Sequence, residues 1–425
     1  MRTSSRSKGN PFRIHGVATG DAFANRADEL ARLEGTLTEA GNKLIVYGPR
    51  RMGKTSALLR AVENVNKSGG YALFADLSTS SSVADMSNRI LTAAGSLLGK
   101  SIADFISSLV SKLKFSITLT PDPVNGLILP GLDMQARDWN SEAQRQSLTD
   151  VLDTLNRMAQ ERGVVIGIAL DEFQEITTFG GEKAEWQLRG AMQQHHNLAY
   201  VLAGSRAHLI SRMTGPSAAF YKFADKMAFG PIDEEELATW IDTRYRSTGI
   251  KATGIGKTII RVAGSRTRDC IQLARVCHDR TRISGVASDK DVSPALREIV
   301  AEENDLYFGI WRKLTVLQQN VLRAVAVADG GLTTRDVLRR FALNSSGAAT
   351  NAANALVASD ILVREDVHSG WRVDTPTGYA FDSPFFRAWV WWNALPDLGP
   401  TLTGTVREGP TDFTQRYVPN PQTDT

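Results

Sequence analysis

The amino-acid sequence predicts an α/β protein built on a parallel sheet, and three observations carry that reading. Short apolar runs alternate with stretches of helical periodicity through the first half of the chain. The first run breaks into a glycine-rich loop that opens a helix, and the third ends in two adjacent carboxylates. The runs are "KLIVY" (43–47), "YALFADL" (71–77), "VVIGIAL" (164–170), "AYVLAG" (199–204) and "KMAFG" (226–230). Continuous rather than alternating apolar character marks strands covered by helices on both faces.

In chain order, residues 1–20 are rich in serine, glycine and basic residues and predict a flexible arm. An α/β domain is expected over 21–231. At its start Gly48, Pro49, Arg50, Arg51, Met52, Gly53, Lys54 and Thr55, followed by Ser56, match G-x-x-x-x-G-K-[ST], with a strand before and the amphipathic "TSALLRAVENV" after. Glycines let several backbone N–H groups curl around one anion, and the helix N-terminus adds its dipole. Lys54 supplies a point charge for the β- and γ-phosphates, and Thr55 offers a hydroxyl to Mg²⁺. The pattern therefore predicts a P-loop holding ATP with Mg²⁺.

Between the second and third strands lies an insertion at about 99–140, flanked and partly filled by helical patterns near 87–98, 102–113 and 140–162; "TPDPVNGLILPGLD" (120–133) reads as loop. The third strand ends in Asp171 and Glu172. A parallel strand delivers Asp171 to the carboxyl edge of the sheet beside the P-loop, where it serves the Mg²⁺ shell, and Glu172 next to it polarises an attacking water. The alternative is that the acidic pair caps the following helix. At the end of the fourth strand, Ser205 and Arg206 follow; Ser205 reaches the γ-phosphate or the water, or else caps "RAHLISRM". A second Gly-Lys-Thr, in "GIGKT" (254–258), is not a phosphate loop: Lys251 stands where the leading glycine belongs, and no apolar strand precedes it.

Beyond Pro231 the pattern turns helical, and a lid of small helices is expected over 232–285, its first helix opening on the acidic "DEEELATWIDTRY". "SGVASDKDVS" (284–293) reads as a linker. Residues 286–395 then suggest a linker helix and a winged helix, with Leu322, Val325, Val337, Leu338, Leu356 and Ile361 in the core and "DILVRE" pairing with "GWRVD" as the wing. Its recognition helix, about 344–359, has no lysine or arginine; Arg335, Arg339, Arg340, Arg364 and Arg372 stand elsewhere in the module. DNA contact and docking of a protein partner both stay open. Residues 396–425, with five prolines, predict a disordered tail.

Bulk properties narrow the classes further. A 425-residue chain of net charge +3 has no global field to draw it to nucleic acid or an anionic membrane. Cys270 and Cys277 read as reduced packing residues. No run approaches the roughly 18 apolar residues of a membrane span, and the basic start lacks a signal-peptide core, so a cytoplasmic protein without membrane partners is expected.

With "FANRADELARL" (23–33), "YGPRRMGKTSALL" (47–59), "ALDEFQEI" (169–176), "LAGSRAHLISRM" (202–213), "FYKFADKMAFGPIDEEELATWI" (220–241) and "DSPFFRAWV" (382–390) in order, the chain resembles the archaeal-type P-loop ATPase family, near the STAND ATPases and the origin-recognition branch of AAA+ proteins. The resemblance implies a sheet of order 5-1-4-3-2, Arg26 and Glu29 near the nucleotide base, and a slow, partner-regulated, Mg-dependent ATP hydrolase. Such family members often carry a winged helix that switches with nucleotide state. The alternative is a nucleotide-gated DNA- or protein-binding regulator with little turnover; a small-molecule kinase lacks the arginine-rich lid it needs. In place of the family's usual Gly-x-Pro, "AGSRTRDCIQL" (263–273) is closer to the origin-recognition form, in which an arginine reaches the γ-phosphate. Arg268 is the first candidate for that role and Arg266 the second, against plain helix-surface arginine. Arg212, whose spacing departs from the AAA+ pattern, is a further candidate finger. A finger acting in trans implies a homo-oligomer.

Overall fold

Five runs of four to seven residues, apolar except at the edge strand β7, form the central strands: β1 Lys43–Tyr47, β2 Tyr71–Asp76, β5 Ile166–Asp171, β6 Leu198–Gly204 and β7 Asp225–Ala228. They belong to a computed structural model that describes residues 9–14, 16, 23–98, 117–121, 128–132, 141–205, 207–328, 330–364, 371–395 and 416–419. Chain contacts divide the protein into two units, Arg26–Phe229 and a second built from Gly230 onward together with the residues up to Asn25.

In the first unit the five strands pair in the order β2-β5-β6-β1-β7, all parallel. Numbered by the five sequence runs and read from the other edge, this is 5-1-4-3-2. Every residue of β5 and β6 is buried, which is why those two runs are unbroken in their apolar character. Each such Leu, Ile or Val side chain contributes about 1.5–3 kcal/mol by leaving water. The register sets Tyr47 opposite Gly204 and Asp76 opposite Asp171, so the loops leaving β1, β5 and β6 emerge at one edge.

Two expectations for this unit change. The proline-glycine segment read as loop contributes to a hairpin, with β3 Ile117–Pro121 antiparallel to β4 Ile128–Leu132 and Pro121 opposite Ile128. A two-stranded ribbon has only edge strands, where proline is tolerated. The helical pattern at 102–113 lies outside the described residues. Its neighbours form the helices Val83–Leu98 and Ser141–Arg162, whose apolar faces join the core on the β2–β5 side.

In the second unit one continuous core runs from Ile232 to Leu395. Asp233 caps the helix Glu234–Ser247 through the amides of Glu235 and Glu236, and Thr315 with Gln318 forms a capping box on Val316–Val327. The stretch expected as a linker is structured: Val286–Ala287 pairs with Lys251–Ala252, and Ser288 with Asp291 caps a short 3₁₀ turn. Part of the expected flexible arm is docked. Phe12 is fully buried with its ring 5.2 Å from Tyr245 and 6.0 Å from both Trp240 and His278, while the Asn10 side chain donates to the Arg275 carbonyl and the Arg275 guanidinium donates to the Phe12 carbonyl. Burial of one aromatic ring outweighs the polar composition around it; residues 1–8, 15 and 17–22 lie outside the described residues.

The expected wing pairing is also replaced. Leu362–Arg364 pairs antiparallel with Tyr379–Phe381, and Trp371–Asp374 with Arg416–Pro419. Tyr379, Ala380 and Phe381 are all buried, and this apolar triplet supplies the inner partner. Residues 416–419 therefore form a strand inside the segment expected to be disordered; 396–415 and 420–425 lie outside the described residues. Among the described residues no helix is long and apolar enough to cross a membrane.

Candidate nucleotide site

The glycine loop leaves β1 against the chain that leaves β7. A Cβ on Gly48 would stand 2.1 Å from the Phe229 carbonyl oxygen, so only glycine fits there. Gly53, at φ +95°, turns left-handed to start the helix Lys54–Lys67, and Arg51 also has positive φ, at +68°. Lys54 is buried, its Nζ donating to the carbonyls of Gly48 (2.8 Å) and Pro49 (2.6 Å), which stretches the lysine along the inside of the loop. Met52 is buried, Pro49, Arg50, Arg51 and Ser56 are half-buried, and Thr55 is exposed.

Arg26 supports this loop from beneath. Its guanidinium donates to the Met52 carbonyl (3.1 Å), pairs with Glu29 (2.6 Å) and lies 4.3 Å over the Phe229 ring. Those contacts tie Arg26 and Glu29 to the loop itself.

From β5, Asp171 reaches the same loop. It is buried, and Thr55 Oγ1 donates to its Oδ2 at 2.5 Å. Burial pushes this carboxyl above the usual carboxylate range, while the Thr55 hydrogen bond and the Lys54 charge pull the other way. Glu172 follows in a left-handed conformation, φ +51°, costly for a residue with a side chain and a form of strain that gathers at functional sites. Its amide donates to Asp171 Oδ1 (3.0 Å), and its Oε2 accepts from Ser205 Oγ (2.7 Å) at the end of β6. The next helix, Glu175–Phe179, has Gln174 at its N-cap and no side-chain capping bond, so the acidic pair is not its cap.

Sequence reading missed Gln174. Its side chain is fully buried and its Nε2 donates to the same Glu172 Oε2. A Cβ on Gly204 would stand 2.6 Å from Gln174 Oε1, so the glycine that ends β6 makes room for the amide. A glycine closing an otherwise unbroken apolar strand is compatible with such a close approach but does not say which side chain makes it.

The remaining candidates divide. Arg206 lies outside the described residues. Arg212 is exposed in the last turn of Ala207–Thr214, near enough to Glu185 to oppose the upward push that burial gives that carboxyl. In the second unit, Arg266 is buried and its guanidinium is committed to Asp382, donating to the backbone oxygen and, at 2.7 Å, to Oδ1. Arg268, two residues on in the first turn of Thr267–Thr281, is exposed.

Comparison with known proteins agrees with this geometry. Residues 23–213 match the family model described as an ATPase domain predominantly from Archaea. No curated protein matches the chain. Among solved structures it is similar to a Walker-type ATPase of Pyrococcus abyssi, at 17% identity and TM-score 0.57, covering 89% of this chain and 98% of that one. It is also similar to the ORC2 protein of Aeropyrum pernix in its ADPNP–ADP complexes, at 12% identity and TM-score 0.51, covering 84% and 91%. At such identities the likeness is one of fold. Residues 23–213 are therefore similar to an archaeal-type ATPase domain, and the parallel sheet and its glycine loop agree with an ATP-binding domain of that kind.

Proposed function

We propose that the protein hydrolyses ATP with Mg²⁺ and uses the nucleotide state to switch its C-terminal helical module. The observation that carries this reading is the convergence, at one edge of the sheet, of Lys54 and Thr55 with Asp171 and of Glu172 with Ser205. In this reading the loop 48–53 and Lys54 hold the β- and γ-phosphates and keep the γ-phosphorus in line with an attacking water. Thr55 and Asp171 offer hard oxygen donors of the kind Mg²⁺ prefers, and their mutual hydrogen bond sets them side by side for one ion. When bound, Mg²⁺ supplies neutralisation of the β- and γ-phosphate charge. Glu172 accepts a proton from the water as its oxygen bonds to the γ-phosphorus; the bond to the β–γ bridging oxygen breaks and ADP leaves with that electron pair. Ser205 orients Glu172. Arg268, the exposed arginine of the two candidates, is assigned to the γ-phosphate.

The test is phosphate release by the wild type and by Glu172→Gln, with and without EDTA. Removing the base should cut turnover by about 10²–10⁴-fold while ATP still binds. Equal rates in the two proteins would remove Glu172 from the mechanism.

A second reading, a nucleotide-gated regulator with little turnover, is favoured by the buried Arg266–Asp382 pair. That pair fastens the start of the helix Thr267–Thr281 to the residue preceding the helix Pro384–Asn393 by way of Ser383. We assign 232–285 as a lid and 286–395 as a winged-helix output module. Duplex DNA or a protein serves as its partner, and a homo-oligomer follows if an arginine acts in trans.

A further inference from the structure

We propose that Gln174 is a positioning residue for Glu172, holding the carboxylate so that one oxygen is tied and the other is left to the water. The inference rests on the reading of Glu172 as the base.

Two donors converge on one oxygen. Ser205 Oγ and Gln174 Nε2 both donate to Oε2 of Glu172, and no side chain among the described residues donates to Oε1. A carboxylate rotates about its last bond at little cost; two donors arriving from different strands' ends remove that freedom. The pinned rotamer matters here because the backbone beneath it is already in a left-handed conformation that only surrounding contacts maintain.

The second argument concerns the other end of the amide. Gln174 Oε1 is buried with no hydrogen-bond partner, in a side chain of zero exposure. An unsatisfied buried carbonyl is a standing cost, and an apolar side chain of the same length would avoid it. Turning the amide over would set its oxygen against the Glu172 carboxylate, which is worse. A glutamine in this position is thus poorly explained by stability and well explained by the donor it directs at Glu172. Gly204 completes the arrangement, since any side chain there would push the amide away.

Gln174→Met and Gln174→Leu keep the volume and remove the donor. Each should lower kcat by about 10-fold or more, the worth of one hydrogen bond to a charged group, with the KM for ATP and the affinity for a non-hydrolysable analogue unchanged. Thermal unfolding should occur at or above the wild-type temperature, because the unpaired carbonyl is gone. In a Glu172→Gln background the Gln174→Met change should add no further loss. A kcat equal to wild type overturns the proposal, as does a fall in kcat that comes with a lower melting temperature or persists in the Glu172→Gln background. These outcomes are separate from failure of the base itself, which would show as wild-type turnover in Glu172→Gln alone.

Discussion

The tripeptide Gly-Lys-Thr occurs twice, at 53–55 and 256–258, each time at the start of a helix and each time beside a glycine cap in the left-handed region: Gly53 at φ +95° and Gly254 at +76°. The two could not differ more in what they meet. At the first, Lys54 is buried along a loop of backbone carbonyls, and the nearby carboxylate, Asp171, meets the motif at the Thr55 hydroxyl. At the second, the chain supplies its own anion: Asp242 accepts from the amides of Gly254 (3.0 Å) and Gly256 (2.9 Å), in the manner of a bound phosphate. Lys257 is exposed and paired with Glu235, and Thr258 donates to Asp289. Identical side chains therefore line a curled loop of backbone carbonyls in one place and a sealed helix cap in the other. What decides is whether the preceding strand leaves a loop long enough to curl.

Lys54→Ala should abolish phosphate release, a loss of about 10²-fold or more, whereas Lys257→Ala should leave it within about twofold; comparable losses would erase the distinction. Asp171→Asn should also stop turnover, yet make the protein more stable at neutral pH. Burial raises the folded carboxyl above its unfolded value, so its stabilising contribution is complete below the unfolded value and is lost as pH rises through the folded one. Thermal unfolding should accordingly show the gain at neutral pH and its decline towards acid; a gain independent of pH would contradict this sign.

Gly48→Ala and Gly256→Ala sharpen the pair further, because a Cβ would stand 2.1 Å from Phe229 O in the first and 2.4 Å from Ala238 O in the second. Both should lose about 1–3 kcal/mol of stability, but only Gly48→Ala should also lose ATP affinity, measured by calorimetry. Asp242→Ala should cost about 1 kcal/mol, as for other lost helix caps, without creating a nucleotide site; a second equivalent of bound ATP in that variant would break the comparison. Smallest is Glu235→Gln, where an exposed ion pair is worth about 0–1 kcal/mol.

Much of the site could be read locally. Gly48, Gly53, Lys54 and Thr55 must be spaced as they are for amides, ammonium and hydroxyl to face one polyphosphate, and Asp171 and Glu172 must follow a buried strand to reach it. Gln174 was not legible, because two residues past the acidic pair it reads as an ordinary first-turn residue; only the approach of Gly204 shows where its amide goes. Sequence ranks Arg268 ahead of Arg266 only by resemblance; the physical difference, commitment of the buried Arg266 to Asp382, is visible only in the structure. Phe12 looked like one aromatic in a polar arm until the pocket of Trp240, Tyr245 and His278 gave it a place.

By itself the sequence determined the parallel sheet, the phosphate loop and the acidic strand end. Those depend on residues adjacent in the chain: apolar periodicity, glycine freedom and a motif whose parts lie within a few bonds of one another. Tertiary structure alone decided which glycine loop is filled by the protein's own carboxylate, which strand partners Leu362–Arg364, and which oxygen of Glu172 is held. Each of those is a competition for hydrogen bonds or burial in which a distant group takes part: Asp242 lies 12 residues from Gly254, Ser205 lies 33 from Glu172, and Thr55 lies 116 from Asp171. Local pattern carries no information about the winner of such a competition.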